Sequence, residues 1–148
     1  MNLELLKKLR EETAAGVMDC RQALDESGDD YAKALESLRQ KGVLKAASKE
    51  SREVKAGVVA SYIHSGDRIG SLVAVACETD FVARIDEFKE LAHEIAMQVA
   101  AMNPASVEEL LEQPFIRDSS KTIKDLIIAV VAKTRENIKI VEFSRFQV

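Results

Sequence analysis

A chain of 148 residues, 47% of them hydrophobic, can bury one moderate core and a small satellite unit, and its composition excludes a disordered tail. A formal net charge of −4 with 31% charged residues argues against sequence-independent nucleic-acid binding, which needs a concentrated basic excess. No apolar run reaches spanning length, and Met1-Asn2-Leu3-Glu4 opens directly into a helical pattern, so the expectation is a soluble, cytoplasmic protein without a membrane partner.

The first segment reads as three short helices. Leu3, Leu6 and Leu9 stripe the first, and the small residues from Thr13 to Gly16 interrupt it. Val17, Cys20, Ala23 and Leu24 stripe the second, which Ser27-Gly28-Asp29 closes. Tyr31, Ala34, Leu35 and Leu38 stripe the third, with Gly42 as its expected stop. Residues 1–42 are therefore expected to form a three-helix module similar to a ubiquitin-associated-type (UBA-like) domain, which is an interaction unit. The polar residues 43–55, with Lys45, Lys49, Arg52 and Lys55 among acids, read as a linker.

After Gly57 the period changes to that of a hairpin, with Val58–His64 and Ile69–Cys77 as strands and Ser65-Gly66-Asp67-Arg68 as the turn. Ile85, Phe88, Ala92, Ile95, Val99 and Met102 then recur at spacings of three and four, predicting a continuous helix from Phe81 to about Met102. A second helix is expected near Thr122–Glu136, and Asn137–Phe146 finishes as a strand. Residues 56–148 thus predict a three-stranded antiparallel sheet packed on helices, and the whole chain is α+β. Both faces of these strands are largely apolar, so the sheet must be covered twice. Helices supply one cover, and a homodimer joined through the sheet is the expected second; folding of the linker or of Leu110–Phe115 over that face is the alternative.

Cys20 and Cys77 are isolated and lack metal-ligand spacing, and His64 and His93 have no acid and nucleophile beside them. No catalytic residue, metal or cofactor is expected. A hydrolase using Cys77 with His64 or His93 is the weakest of the readings, because Cys77 ends an apolar strand without an activating neighbour.

The most informative stretch is Cys77-Glu78-Thr79-Asp80-Phe81-Val82-Ala83-Arg84, which joins an apolar strand to a helix through one acid and one aromatic. Local physics leaves two uses open: Thr79 or Asp80 caps the helix while Phe81 starts its stripe, or the pair projects as a wedge into a partner. Residues 78–84 closely resemble a signature of the elongation factor Ts family, exchange factors for the GTPase elongation factor Tu. Leu9-Arg10-Glu11-Glu12-Thr13-Ala14-Ala15-Gly16-Val17-Met18-Asp19-Cys20-Arg21-Gln22-Ala23-Leu24 resembles that family's opening motif. Two motifs in register make a specific signal.

The resemblance implies guanine-nucleotide exchange on elongation factor Tu, with Thr79, Asp80, Phe81 and Val82 as the wedge and Arg10, Val17 and Met18 as docking residues. No nucleotide site of its own is needed, and no Gly-rich phosphate loop is present. The family usually has Gly at Ala14, Lys at Arg21, and Glu and Asn at Ala74 and Ala76, and a long insertion where only Asn103–Glu109 stands here. Many members also carry a second core copy. The rival reading is a dimeric adaptor whose helical module binds other proteins.

Overall fold

The computed structural model describes residues 2–148. Three helices come first: α1 (Leu3–Thr13), α2 (Val17–Ser27) and α3 (Tyr31–Ala47). Asn2 starts α1 by accepting hydrogen bonds from the Glu4 and Leu5 amides at 3.0 and 3.3 Å, and Asp30 starts α3 by accepting from the Lys33 amide at 3.1 Å. Leu9, Cys20, Ala23, Leu24, Ala34 and Leu38 bury one small cluster between the three helices.

Gly42 does not end α3. One glycine in a helix costs only about 1 kcal/mol relative to alanine, and the helix recovers that by packing on α7 (Ile123–Thr134), where Ile128 faces Gly42. The first part of the expected linker is consequently helical, and Ala46 packs against the second core.

That second core is built on β1 (Ala56–Ile63), β2 (Ile69–Cys77) and β5 (Lys139–Gln147), an antiparallel sheet in the order β1-β2-β5. Val59 pairs with Ala74 and Val73 with Phe143, and a bulge interrupts the β2–β5 register between Ala74 and Val75. Val73 and Val75 on the inner face meet Phe88, Leu91, Ala92, Ile95 and Val99 of α5 (Asp86–Met102). Ile123, Ile127 and Val131 of α7 complete the layer, and Thr122 starts that helix in a reciprocal capping box with Asp125. The fold is α+β, as expected.

Strand β1 lies so close to β2 that a Cβ at Gly57 would stand 2.2 Å from the Val75 carbonyl oxygen. The Leu110–Phe115 segment does not cover the sheet's outer face. It folds as α6 (Val107–Glu112) and β3 (Pro114–Phe115), which pairs with β4 (Asp118–Thr122), and both Leu110 and Phe115 enter the core. Gln98 of α5, wholly buried, stitches the segment in place: its amide donates to the Pro114 carbonyl at 3.0 Å and its oxygen accepts from the Ile116 amide at 3.0 Å. Val59, Ile63, Leu72 and Phe146 are left exposed on the outer face.

Candidate functional site

The expected continuous helix from Phe81 is broken. Helix α4 (Asp80–Arg84) is a single turn, Ile85 is extended at φ −73° and ψ 147°, and only then does α5 begin. Positions 81, 85 and 88 share a face in an unbroken helix, which would drive Phe81 into the core beside Phe88. The extended residue shifts the helical phase. Phe81 is 79% exposed while Phe88 is fully buried, and Val82 and Ala83 take the inward positions of α4.

Of the four residues expected to form a wedge, Thr79, Asp80 and Phe81 are exposed, and Thr79 also caps the helix. Its hydroxyl accepts from the Val82 amide at 3.4 Å. Val82, at 4% exposure, lies in the core, because the same turn that exposes Phe81 points Val82 inward. The two local readings of the junction therefore divide between neighbours: Thr79 caps and Phe81 projects.

Backbone around the junction is held by groups far away in sequence. One Glu136 carboxylate oxygen accepts from the Glu78 and Thr79 amides at 3.0 and 2.9 Å, and the other accepts from the Thr79 hydroxyl at 2.7 Å. In return the Glu78 carboxylate accepts from the Asn137 amide at 2.8 Å and pairs with Arg52 at 3.5 Å. Asn137 is buried, and its side chain donates to the carbonyls of Arg52 and Glu50 at 2.8 and 3.4 Å. Sequence reasoning missed Arg52, Glu78, Glu136 and Asn137 as supports. No local period links positions so far apart; the only hint was that Glu78 lies inside the signature.

Arg10, Val17 and Met18 are all exposed on the helical module, Val17 by 45% and Met18 by 71% at the start of α2. The structure does not bring them onto the α4 junction; they sit on the other unit. Lys45 of α3 pairs with Asp19 of α2 at 3.1 Å beside them.

Both thiols are buried, and burial pushes each above its ordinary pKa. Cys77 donates to the Thr79 carbonyl at 3.2 Å, an arrangement for an inert thiol and not a nucleophile. His64 and His93 are exposed around Tyr62, whose hydroxyl lies 3.1 Å from His64 Nδ1. Among the described residues no group of three or more His, Cys, Asp or Glu is placed to hold a metal ion, and no helix is long and apolar enough to cross a membrane.

The family model described as Elongation factor TS matches residues 78–148, beginning at the junction itself. Elongation factor Ts of Thermotoga neapolitana is 41% identical in an alignment covering 100% of this chain and 97% of that protein. Elongation factor Ts of Oleidesulfovibrio alaskensis is 42% identical over 97% of this chain and 95% of its own. The first alignment runs over 191 positions although this chain has 148 residues, so the relative carries stretches without a counterpart here. Identity at this level across essentially the whole chain shows that it belongs to the elongation factor Ts family, whose place is in translation elongation and not among enzymes.

Proposed function

We propose that this protein is a guanine-nucleotide exchange factor that binds elongation factor Tu in its GDP form and promotes GDP release. The observation that carries this reading is an aromatic residue, Phe81, left 79% exposed beside exposed Asp80 on a turn that buries Val82 and Ala83 in the core. A large apolar side chain held in solvent by the core gains roughly 1.5–3 kcal/mol only when a partner buries it. In a GTPase, nucleotide phosphates are held by a phosphate loop and Mg²⁺. A wedge that shifts elements near that metal raises the escape rate of GDP. By linkage, binding the nucleotide-free GTPase more tightly than the GDP form weakens GDP by the same factor.

Residues 1–42 serve in this reading as the docking module, through Arg10, Val17 and Met18, residues 43–55 connect it, and residues 56–148 carry the exchange step. Release of a fluorescent GDP from elongation factor Tu, with and without the protein, is the test. Acceleration by wild type that Phe81→Ala largely abolishes and Asp80→Ala weakens supports the wedge; equal acceleration by a folded Phe81→Ala variant refutes it. A dimeric adaptor accelerates nothing. Removing residues 1–42 is expected to raise the half-saturating concentration while leaving residual exchange.

The outer face of the sheet, with Val59, Ile63, Leu72 and Phe146 exposed, is the surface through which we expect two copies to join. Sedimentation equilibrium at micromolar concentration decides this: a single species at the 16.4 kDa chain mass throughout rules the homodimer out.

A further inference from the structure

We infer that Glu136 is the positioning residue of the wedge, acting on Asp80 and Phe81 through the backbone of Glu78 and Thr79; this rests on the exchange reading above. A five-residue helix such as α4 cannot hold its own direction, because one turn fixes many dihedrals for few hydrogen bonds. Its direction must come from outside. On the downstream side Val82 and Ala83 anchor it in the core, and on the upstream side Glu136 is the group that grips the chain.

The grip is strong for its size. Three donors converge on one carboxylate, two of them backbone amides of consecutive residues, so both the position and the orientation of the peptide entering Asp80 are set. Glu136 is itself held. Its amide donates to the Thr134 hydroxyl at 3.4 Å, and the following residue, Asn137, is buried and bonded to Glu78, Glu50 and Arg52. The carboxylate therefore transmits the rigidity of the α7–β5 connection to the junction.

Without it, the amides of residues 78 and 79 lose their shared acceptor and only side-chain contacts of Glu78 and the Cys77–Thr79 bond still hold this backbone, so part of the ordering of Phe81 is deferred to the moment it enters the partner. That cost falls on the exchange step and not on docking by the helical module. Glu136→Ala is expected to lower the maximal rate of GDP release on the order of ten- to a hundredfold, the scale of a misplaced reacting group, with the half-saturating concentration unchanged. Glu136→Gln keeps an acceptor for the two amides and recovers most of the rate; Glu136→Asp is too short to reach and does not.

The experiment measures fluorescent-GDP release from elongation factor Tu against concentration of each variant, together with amide hydrogen exchange of Glu78 and Thr79 in the free protein. Loss of amide protection with the fall in maximal rate, both restored by Glu136→Gln, supports the inference. A folded Glu136→Ala variant with the wild-type maximal rate, or one whose half-saturating concentration rises in proportion to its loss, overturns it. Should Glu136→Ala fail to fold, Glu136→Asp decides by the same two readings. If wild type accelerates no release at all, the exchange reading fails and this inference with it, whereas a wild type that works through Phe81 beside an indifferent Glu136 sinks this inference alone.

Discussion

The two hydrophobic clusters of this protein differ in size and in what they can carry. The helical module buries Leu9, Cys20, Ala23, Leu24, Ala34 and Leu38, whereas the α+β unit buries a layer running from Val73 to Ile140 that includes Phe88, Ile95, Leu110 and Ile123. A unit of some 40 residues is marginal alone, because so little of its surface can be withdrawn from water. This one leans on the larger core through α3, which passes Gly42 against Ile128. The larger unit buries many more side chains, and it holds Phe81 in solvent. Its stability and its proposed activity therefore reside in different side chains, even when those side chains are of one type and seven positions apart.

The sharpest way to break that separation is to shorten both phenylalanines. Phe88→Ala removes a wholly buried ring and is expected to cost about 3–5 kcal/mol, read as a large fall in the thermal midpoint of the α+β unit. Phe81→Ala should leave the stability within about 0.5 kcal/mol of wild type while GDP release collapses. Equal destabilisation by the two substitutions would mean that Phe81 belongs to the core after all.

Leu24→Ala asks how much the small cluster can lose. Leu24 is wholly buried, and its truncation is expected to cost about 2–5 kcal/mol, enough to open a module whose core has so few members. Residue-resolved hydrogen exchange should then show α1 and α2 unprotected while β2 and α5 stay protected. Uniform loss of protection in both units would show one cooperative fold in place of two unequal ones.

A milder probe of the small unit uses pH. The Tyr31 hydroxyl donates to the Glu12 carboxylate, and partial burial together with that acidic partner pushes its pKa up to about 12. A pKa raised on folding favours the protonated form in the native state. Its contribution is complete below the ordinary tyrosine pKa near 10 and is lost as pH rises toward about 12. The module should weaken across that window, and Tyr31→Phe should cost about 1 kcal/mol at neutral pH while flattening the dependence. An unchanged slope in Tyr31→Phe would assign the alkaline loss to other groups.

Much of this comparison was legible in the sequence because both units are built from local periods. The stripes Leu3, Leu6 and Leu9, and Phe88, Ile95 and Val99, recur at helical spacing, and the hairpin is marked by Ser65-Gly66-Asp67-Arg68. Three features were hidden. Gly42 reads as a stop because a lone glycine at the end of a stripe is ambiguous until its packing partner, Ile128, is known. Ile85 continues the α5 stripe by spacing, so the break that exposes Phe81 leaves no mark in the pattern. The supports of the junction, Arg52, Glu136 and Asn137, act across the fold, and pairing of this kind is set by topology and not by neighbours in the chain.

Two small substitutions in the weaker unit sharpen the contrast from the other side, by adding stability where it is scarce. Ala14 closes α1 in the left-handed conformation at φ 53°, where a Cβ is strained by roughly 1–2 kcal/mol and glycine is not. Ala14→Gly should relieve the strain. Glycine's larger unfolded-state entropy offsets part of that, leaving a net gain of about 0.5–1 kcal/mol. Gly42→Ala works by the opposite logic at a position with ordinary helical geometry. It improves helix propensity by about 1 kcal/mol, and the new Cβ would meet Ile128 Cγ2 at 3.6 Å, an ordinary contact. Both gains should appear as raised protection of α1–α3 with little change in β2, and with GDP release unaltered because neither residue touches the junction. A lower thermal midpoint for Ala14→Gly would show that the left-handed turn is held by something other than the backbone strain at its centre.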